Sequence, residues 1–173
     1  MGEDALWYEA AQVVGVTNAL NVVADGLGGL MAPVKAAGAP PQVAAVFADI
    51  STFYAGRPGE IPVPFALAAH DPAYLADLWA ACKRAFDDNR LGRRLKEALA
   101  FAVSLTTRSS FGTAFHLAEM RRLGVGEGGV IEVVGVTQMF SSYTKIADTL
   151  QLEPDMGDIA PVDRTPAPGA GPR

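Results

Sequence analysis

One cysteine, Cys82, and two histidines, His70 and His116, are all that the chain offers for thiol or imidazole chemistry. A single thiol excludes a disulfide framework and a cysteine-rich zinc site within one chain. Two histidines make a metal site only by meeting in space, and their spacing does not call for it. No metal is therefore expected. Basic clusters of nucleic-acid type are also missing, and the net charge is −5. The densest basic group, Arg90, Arg93, Arg94 and Lys96, is short, opens a helix and reads as solvated surface, so no nucleic-acid partner is expected. The apolar stretches are broken by Asn, Asp, Thr or Gly within ~18 residues, too short to span a bilayer. The opening residues carry Glu3, Asp4 and Glu9 without a basic n-region, unlike a signal peptide. A cytoplasmic protein of bacterial type is expected.

Alternation of strand type is lacking too, and what fills the chain is helical. Half of the 173 residues are hydrophobic, with Ala and Leu, both good helix formers, prominent. The pattern predicts helices over 4–30, 41–54, 64–70, 72–88, 91–106, 109–123 and 129–151. Pro40-Pro41 opens the second, which spaces Val43, Val46, Phe47 and Ile50 along one side. Asp71-Pro72 caps the fourth, which aligns Leu75, Leu78, Trp79 and Cys82. The fifth is expected to turn Leu95, Leu99 and Ala102 inward. The fold class is all-α, one domain over 1–152. A Pro/Gly-rich tail over 153–173 reads as disordered.

Val13-Val14-Gly15-Val16-Thr17 recurs as Val133-Val134-Gly135-Val136-Thr137. Chance identity and a partial internal repeat are both open readings. If it is a repeat, the first copy is only the last helix of its unit, and neighbouring subunits are expected to complete one another in a homo-oligomer.

The helix over 109–123 carries the candidate chemistry. At ~100° per residue, Ser109, Gly112, Thr113 and His116 share a stripe, with Phe111, Phe115 and Ala118 opposite. Small polar residues beside an imidazole suit a pocket lining. An antiparallel return from the preceding helix brings Glu97 toward His116, and a Glu–His pair orients an imidazole for acid/base work. A core or surface histidine with one hydrogen bond is the plainer alternative. His70 reads as a helix-end histidine and Cys82 as a small buried hydrophobe. Phe140 and Tyr143 either line the pocket of His116 or belong to the core. Trp7 and Tyr8 cap the core or cover a neighbouring subunit.

From about Leu91 to Leu150 the chain resembles the carboxymuconolactone decarboxylase and alkylhydroperoxidase-like superfamily. The peroxidase branch has Glu, eleven residues, then Cys-x-x-Cys-x-x-x-His. Here Glu97 is followed, after eleven residues, by Ser109-Ser110-Phe111-Gly112-Thr113-Ala114-Phe115-His116. Glu and His match in register, and Ser109 and Gly112 stand where the cysteines would be. The flanking RLKEALAFAVSLTT and HLAEMRRLGV, and the closing IEVVGVTQMFSSYTKIADTL, are similar as well. The resemblance implies a helical bundle. Without the two thiols it excludes dithiol peroxide reduction. The decarboxylase branch is similar in lacking the cysteines, and it implies a cofactor-free lyase acting on a small carboxylate or lactone. In that reading His116 transfers the proton and Glu97 is its partner. Ser109, Gly112 and Thr113 then line the substrate, and Arg108 holds its carboxylate. A catalytically inactive scaffold or oligomer partner is the second reading. A haloacid dehalogenase-like hydrolase is a minor third, on loose similarity over 43–79.

Overall fold

The computed structural model describes residues 4–55 and 60–152; the tail expected over 153–173 lies outside them. Among the described residues seven helices follow one another: α1 Asp4–Leu27, α2 Pro41–Phe53, α3 Val63–Ala68, α4 Pro72–Phe86, α5 Arg93–Thr107, α6 Ser110–Arg122 and α7 Glu127–Leu150. No strand occurs among the described residues, and the all-α expectation holds.

Local chemistry sets most of the helix ends. Prolines occupy the first turns of α2, α3 and α4, where a missing N–H costs nothing. The Asp71 carboxylate caps α4 by accepting from the Ala73 and Tyr74 amides, and Lys83 and Arg84 sit in its last turn, where cations suit the dipole. Between α5 and α6 the chain reverses within two residues. Arg108 takes the left-handed conformation at φ 58°, and Ser109 then caps α6 by accepting from the Gly112 amide at 3.1 Å. That tight reversal lays α6 antiparallel along α5 and fixes which of their residues face each other.

α1 lies across α3, α4, α5 and α6. Its Val13 and Leu20 meet Val43, Phe47 and Ile50 of α2, Phe65 of α3, and Leu75, Trp79, Cys82 and Phe86 of α4 in one core. Each such aliphatic or aromatic side chain contributes about 1.5–3 kcal/mol by leaving water. α2 and α4 therefore bury the stripes that their spacing predicts.

α7 is different. It packs chiefly on α5, and none of its 24 residues is buried. Ile131, Met139, Phe140, Tyr143 and Ile146 are exposed, Phe140 by 67 %. The expectation that Phe140 and Tyr143 line a pocket or join the core is thus corrected: among the described residues α7 packs chiefly on α5, and this side of it stays exposed. Trp7 is likewise 74 % exposed and Tyr8 69 %, so neither caps the core. The two VVGVT copies fall in α1 and α7. Val13 and Thr17 of the first are fully buried, whereas Val134, Gly135 and Val136 of the second face out.

Candidate active site

The inner face of α5 is polar. Lys96, Glu97 and Ser104 are buried beside Ala100 and Phe101, while Leu95 is half exposed and Leu99 and Ala102 are intermediate. This reverses the sequence expectation for that helix, and also the reading of Arg93 and Lys96 as solvated surface. The reason is that the polar stripe finds charged partners across the bundle. The Lys96 ammonium pairs with Glu9 of α1 at 2.5 Å and donates to the Asp87 carbonyl. Glu9 also accepts from the Arg90 and Leu91 amides. Burial alone pushes the Glu9 carboxyl up, but Lys96 and the two amides outweigh it and hold it below the usual range.

Next to Lys96 on α5, Glu97 bridges Arg93 and His116. Its Oε1 accepts from Arg93 Nε at 2.7 Å, and its Oε2 accepts from His116 Nδ1–H on α6 at 2.7 Å. The Phe86 ring stacks on the imidazole, 7° from parallel with centroids 5.8 Å apart. The Arg93 guanidinium sits over the Phe53, Tyr54 and Phe86 rings at 4.4, 5.2 and 5.3 Å. Glu119, a turn beyond His116, is held by two bonds from Arg122 and lies 3.7 Å from Arg93 Nη2. Two buried atoms in this cluster have no hydrogen-bond partner, His116 Nε2 and Arg93 Nη2.

Cys82 and Tyr54 border the cluster. The Tyr54 hydroxyl and Cys82 Sγ are 3.4 Å apart. Burial raises the thiol to about 12, and burial likewise raises the phenol well above its ordinary value. Cys82 is therefore protonated at neutral pH and inert as a nucleophile. His70 lies far along the chain, with Nε2 at 2.9 Å from the Ala32 carbonyl, a helix-end histidine as its sequence setting suggested. Among the described residues no group of three His, Cys, Asp or Glu is arranged for a metal.

The hollow expected between Ser109 and Gly112 is filled. Asn21 of α1 reaches into it and donates to Ser104 and Thr107, each at 3.1 Å. A Cβ on Gly112 would meet Asn21 Oδ1 at 2.2 Å and Ser104 Oγ at 2.4 Å. Ser109 is fully buried as the α6 cap. Arg108 is exposed and Thr113 half-buried, and neither has a recorded side-chain contact with Glu97 or His116. The stripe is real, but its Ser109–Gly112 end faces α1 while its His116 end faces Glu97 and Phe86. Sequence reasoning missed Arg93, whose signal was its position one turn before Glu97, and also Tyr54 and Asn21, which come from distant helices.

His116 itself is 1 % exposed. A cavity of about 330 Å³ lies next to it, lined among others by Tyr54, Ile61, Phe111, Phe115 and Glu119. The Phe115 ring stands edge-on to both Tyr54 and His116 and separates the imidazole from that space.

Residues 72–152 match the carboxymuconolactone decarboxylase family. The matched segment runs from α4 to α7 and carries Glu97, Ser109, Gly112 and His116; α1, α2 and α3 lie before it. The crystal structure of the alkylhydroperoxidase AhpD core from Rhodospirillum rubrum superposes with a TM-score of 0.62 at 24 % identity. The match covers 66 % of this chain and 84 % of that one. At that identity the likeness shows the fold alone, the all-helical fold of that AhpD core. No curated protein matches the chain. No helix among the described residues is long and apolar enough to cross a membrane.

Proposed function

We propose that this protein is a cofactor-free acid/base catalyst of carboxymuconolactone decarboxylase-like type, acting in the cytoplasm on a small carboxylate or lactone. One observation carries the reading: the imidazole of His116 is fixed by Glu97 at Nδ1 and left without a partner at Nε2. A buried polar atom without a partner costs about 1–3 kcal/mol. A packing histidine gains nothing from that cost, whereas a proton-transfer group needs the open nitrogen. With Nδ1–H directed at the carboxylate, Nε2 carries the lone pair that accepts a substrate proton. Glu97 then stabilises the imidazolium until the proton is returned. Ser109 and Gly112 serve the packing of α6 against α1 in this scheme.

Turnover of butenolide carboxylates, followed by ultraviolet absorbance, tests it. Both His116→Gln and Glu97→Gln should lower the rate by at least about a hundredfold, with helicity by circular dichroism retained. Activity undiminished in His116→Gln would refute the assignment.

The closure of Phe115 over His116 favours a second reading, a scaffold without catalysis. Both readings share one partner, a further copy of this chain covering the bare apolar side of α7. In the scaffold reading, substitutions on α7 disturb assembly and His116→Gln has no effect on any turnover.

A further inference from the structure

We infer a second small-molecule site, in the groove between the first half of α1 and the last turns of α4, that takes a small organic monoanion with a flat ring, such as an aromatic carboxylate. The groove is a cavity of about 860 Å³, within the usual range for ligand sites. It shares no lining residue with the cavity beside His116, and the inference does not rest on the acid/base reading.

Five charged side chains line the groove: Glu9, Lys83, Arg84, Asp87 and Arg90. Their partners decide what is left for a ligand. Glu9 is satisfied by the Lys96 ammonium and by the Arg90 and Leu91 amides. Lys83 is satisfied too, donating to both carboxylate oxygens of Asp49 at 2.8 Å. The Arg90 guanidinium comes no nearer to Glu9 than 3.9 Å, and its side chain is 49 % exposed. Arg84 and Asp87 have no side-chain hydrogen bond or ion pair among the described residues. Two guanidinium groups thus share the groove with one free carboxylate. That leaves one positive charge in excess, in a chain whose net charge is −5. A ligand with a single negative charge cancels it, and a dianion overshoots. A carboxylate also matches the planar fork of a guanidinium. The side-chain amides of Gln12 and Asn89 line the same groove without partners of their own and supply further donors. The Tyr8 ring, 69 % exposed, offers a face on which a flat ring stacks. Ala5 and Ala80 keep bulk out of the space beside it.

The probe is sodium benzoate, titrated at low salt into the isotope-labelled full chain and followed by amide NMR shifts. Saturable shifts should appear at Tyr8, Gln12, Asn89 and Arg90, and added salt should weaken the binding. Arg84→Gln and Arg90→Gln should each weaken it at least about tenfold. Both side chains are exposed, so both variants should keep the fold, which circular dichroism checks. Arg121→Gln, an exposed arginine elsewhere, should leave the affinity unchanged. Benzyl alcohol, similar in shape and uncharged, and phenyl phosphate as its dianion should both bind more weakly than benzoate. Unsaturable shifts, or wild-type affinity in both Arg84→Gln and Arg90→Gln, overturn the inference. Shifts confined to α6 around His116 place benzoate in the other cavity and overturn it as well. Tighter binding of phenyl phosphate or benzyl alcohol than of benzoate overturns the assignment to a monoanion.

Discussion

At Gly112 the chain has no room for a side chain. The position faces Asn21 and Ser104, themselves buried and bonded to each other. A methyl group there must displace that pair, and overpacking of this kind costs about 1–3 kcal/mol. Gly112→Ala should therefore lower the denaturation midpoint in urea, and adding Asn21→Ala should recover part of the loss, since the two share one volume. Additive effects in the double variant would show that the clash is elsewhere. The same geometry explains why restoring cysteines at 109 and 112 would not recreate a dithiol site: the second thiol would have to occupy the space of Asn21. Arg93 shows the opposite case, a residue whose environment rather than its type makes it interesting. On an exposed helix start it would be a solvated cation; here its side chain is 11 % exposed and stacked among aromatic rings.

Among the elements, α1 and α5 are tied by a buried ion pair between Glu9 and Lys96. Removing one partner strands the other charge out of water, which costs about 3–5 kcal/mol. Glu9→Gln should show a loss of that order in chemical denaturation at neutral pH. The pH dependence has a definite sign. The folded Glu9 carboxyl lies below its usual 4.5, so its contribution is complete above that value and is lost as the pH falls through the folded value. Wild type and Glu9→Gln should converge in stability on acidification; a difference that persists at pH 2 would contradict the pair's role. This tie also marks what could be read from the sequence. The extents of α2 and α4 were legible, because prolines and the Asp71 cap act within a few residues. The Glu97–His116 meeting was legible too, since the Thr107–Ser109 break forces an antiparallel return. The inward face of α5 was not. Leu95, Leu99 and Ala102 form an equally regular stripe, and the choice between the two rests on Glu9, far away in sequence. The filling of the Ser109–Gly112 hollow was hidden for the same reason, because Asn21 comes from the far end of the chain.

For the whole molecule, the bare side of α7 is the dominant surface feature. Among the described residues Ile131, Met139, Phe140, Tyr143 and Ile146 are each more than half exposed, and a contiguous apolar row of this kind marks an interaction surface. If a second copy covers it, sedimentation velocity should show a species heavier than one chain. Phe140→Ser with Tyr143→Ser should shift that species toward the monomer and remove the concentration dependence of the melting temperature. A wild type that sediments as one chain at all concentrations would exclude the partner.

The placement of Glu9 and Asn21 on α1 also has a consequence for biosynthesis. Their partners lie on α5 and at the α4–α5 junction, so α1 leaves the ribosome well before the residues that satisfy it. At roughly 5–20 residues per second of translation, α1 waits on the order of several seconds for α5. During that interval its buried-to-be polar groups and valines face water or a chaperone. Slowing translation before Arg93 should therefore lower the yield of native protein more than slowing it after Leu123.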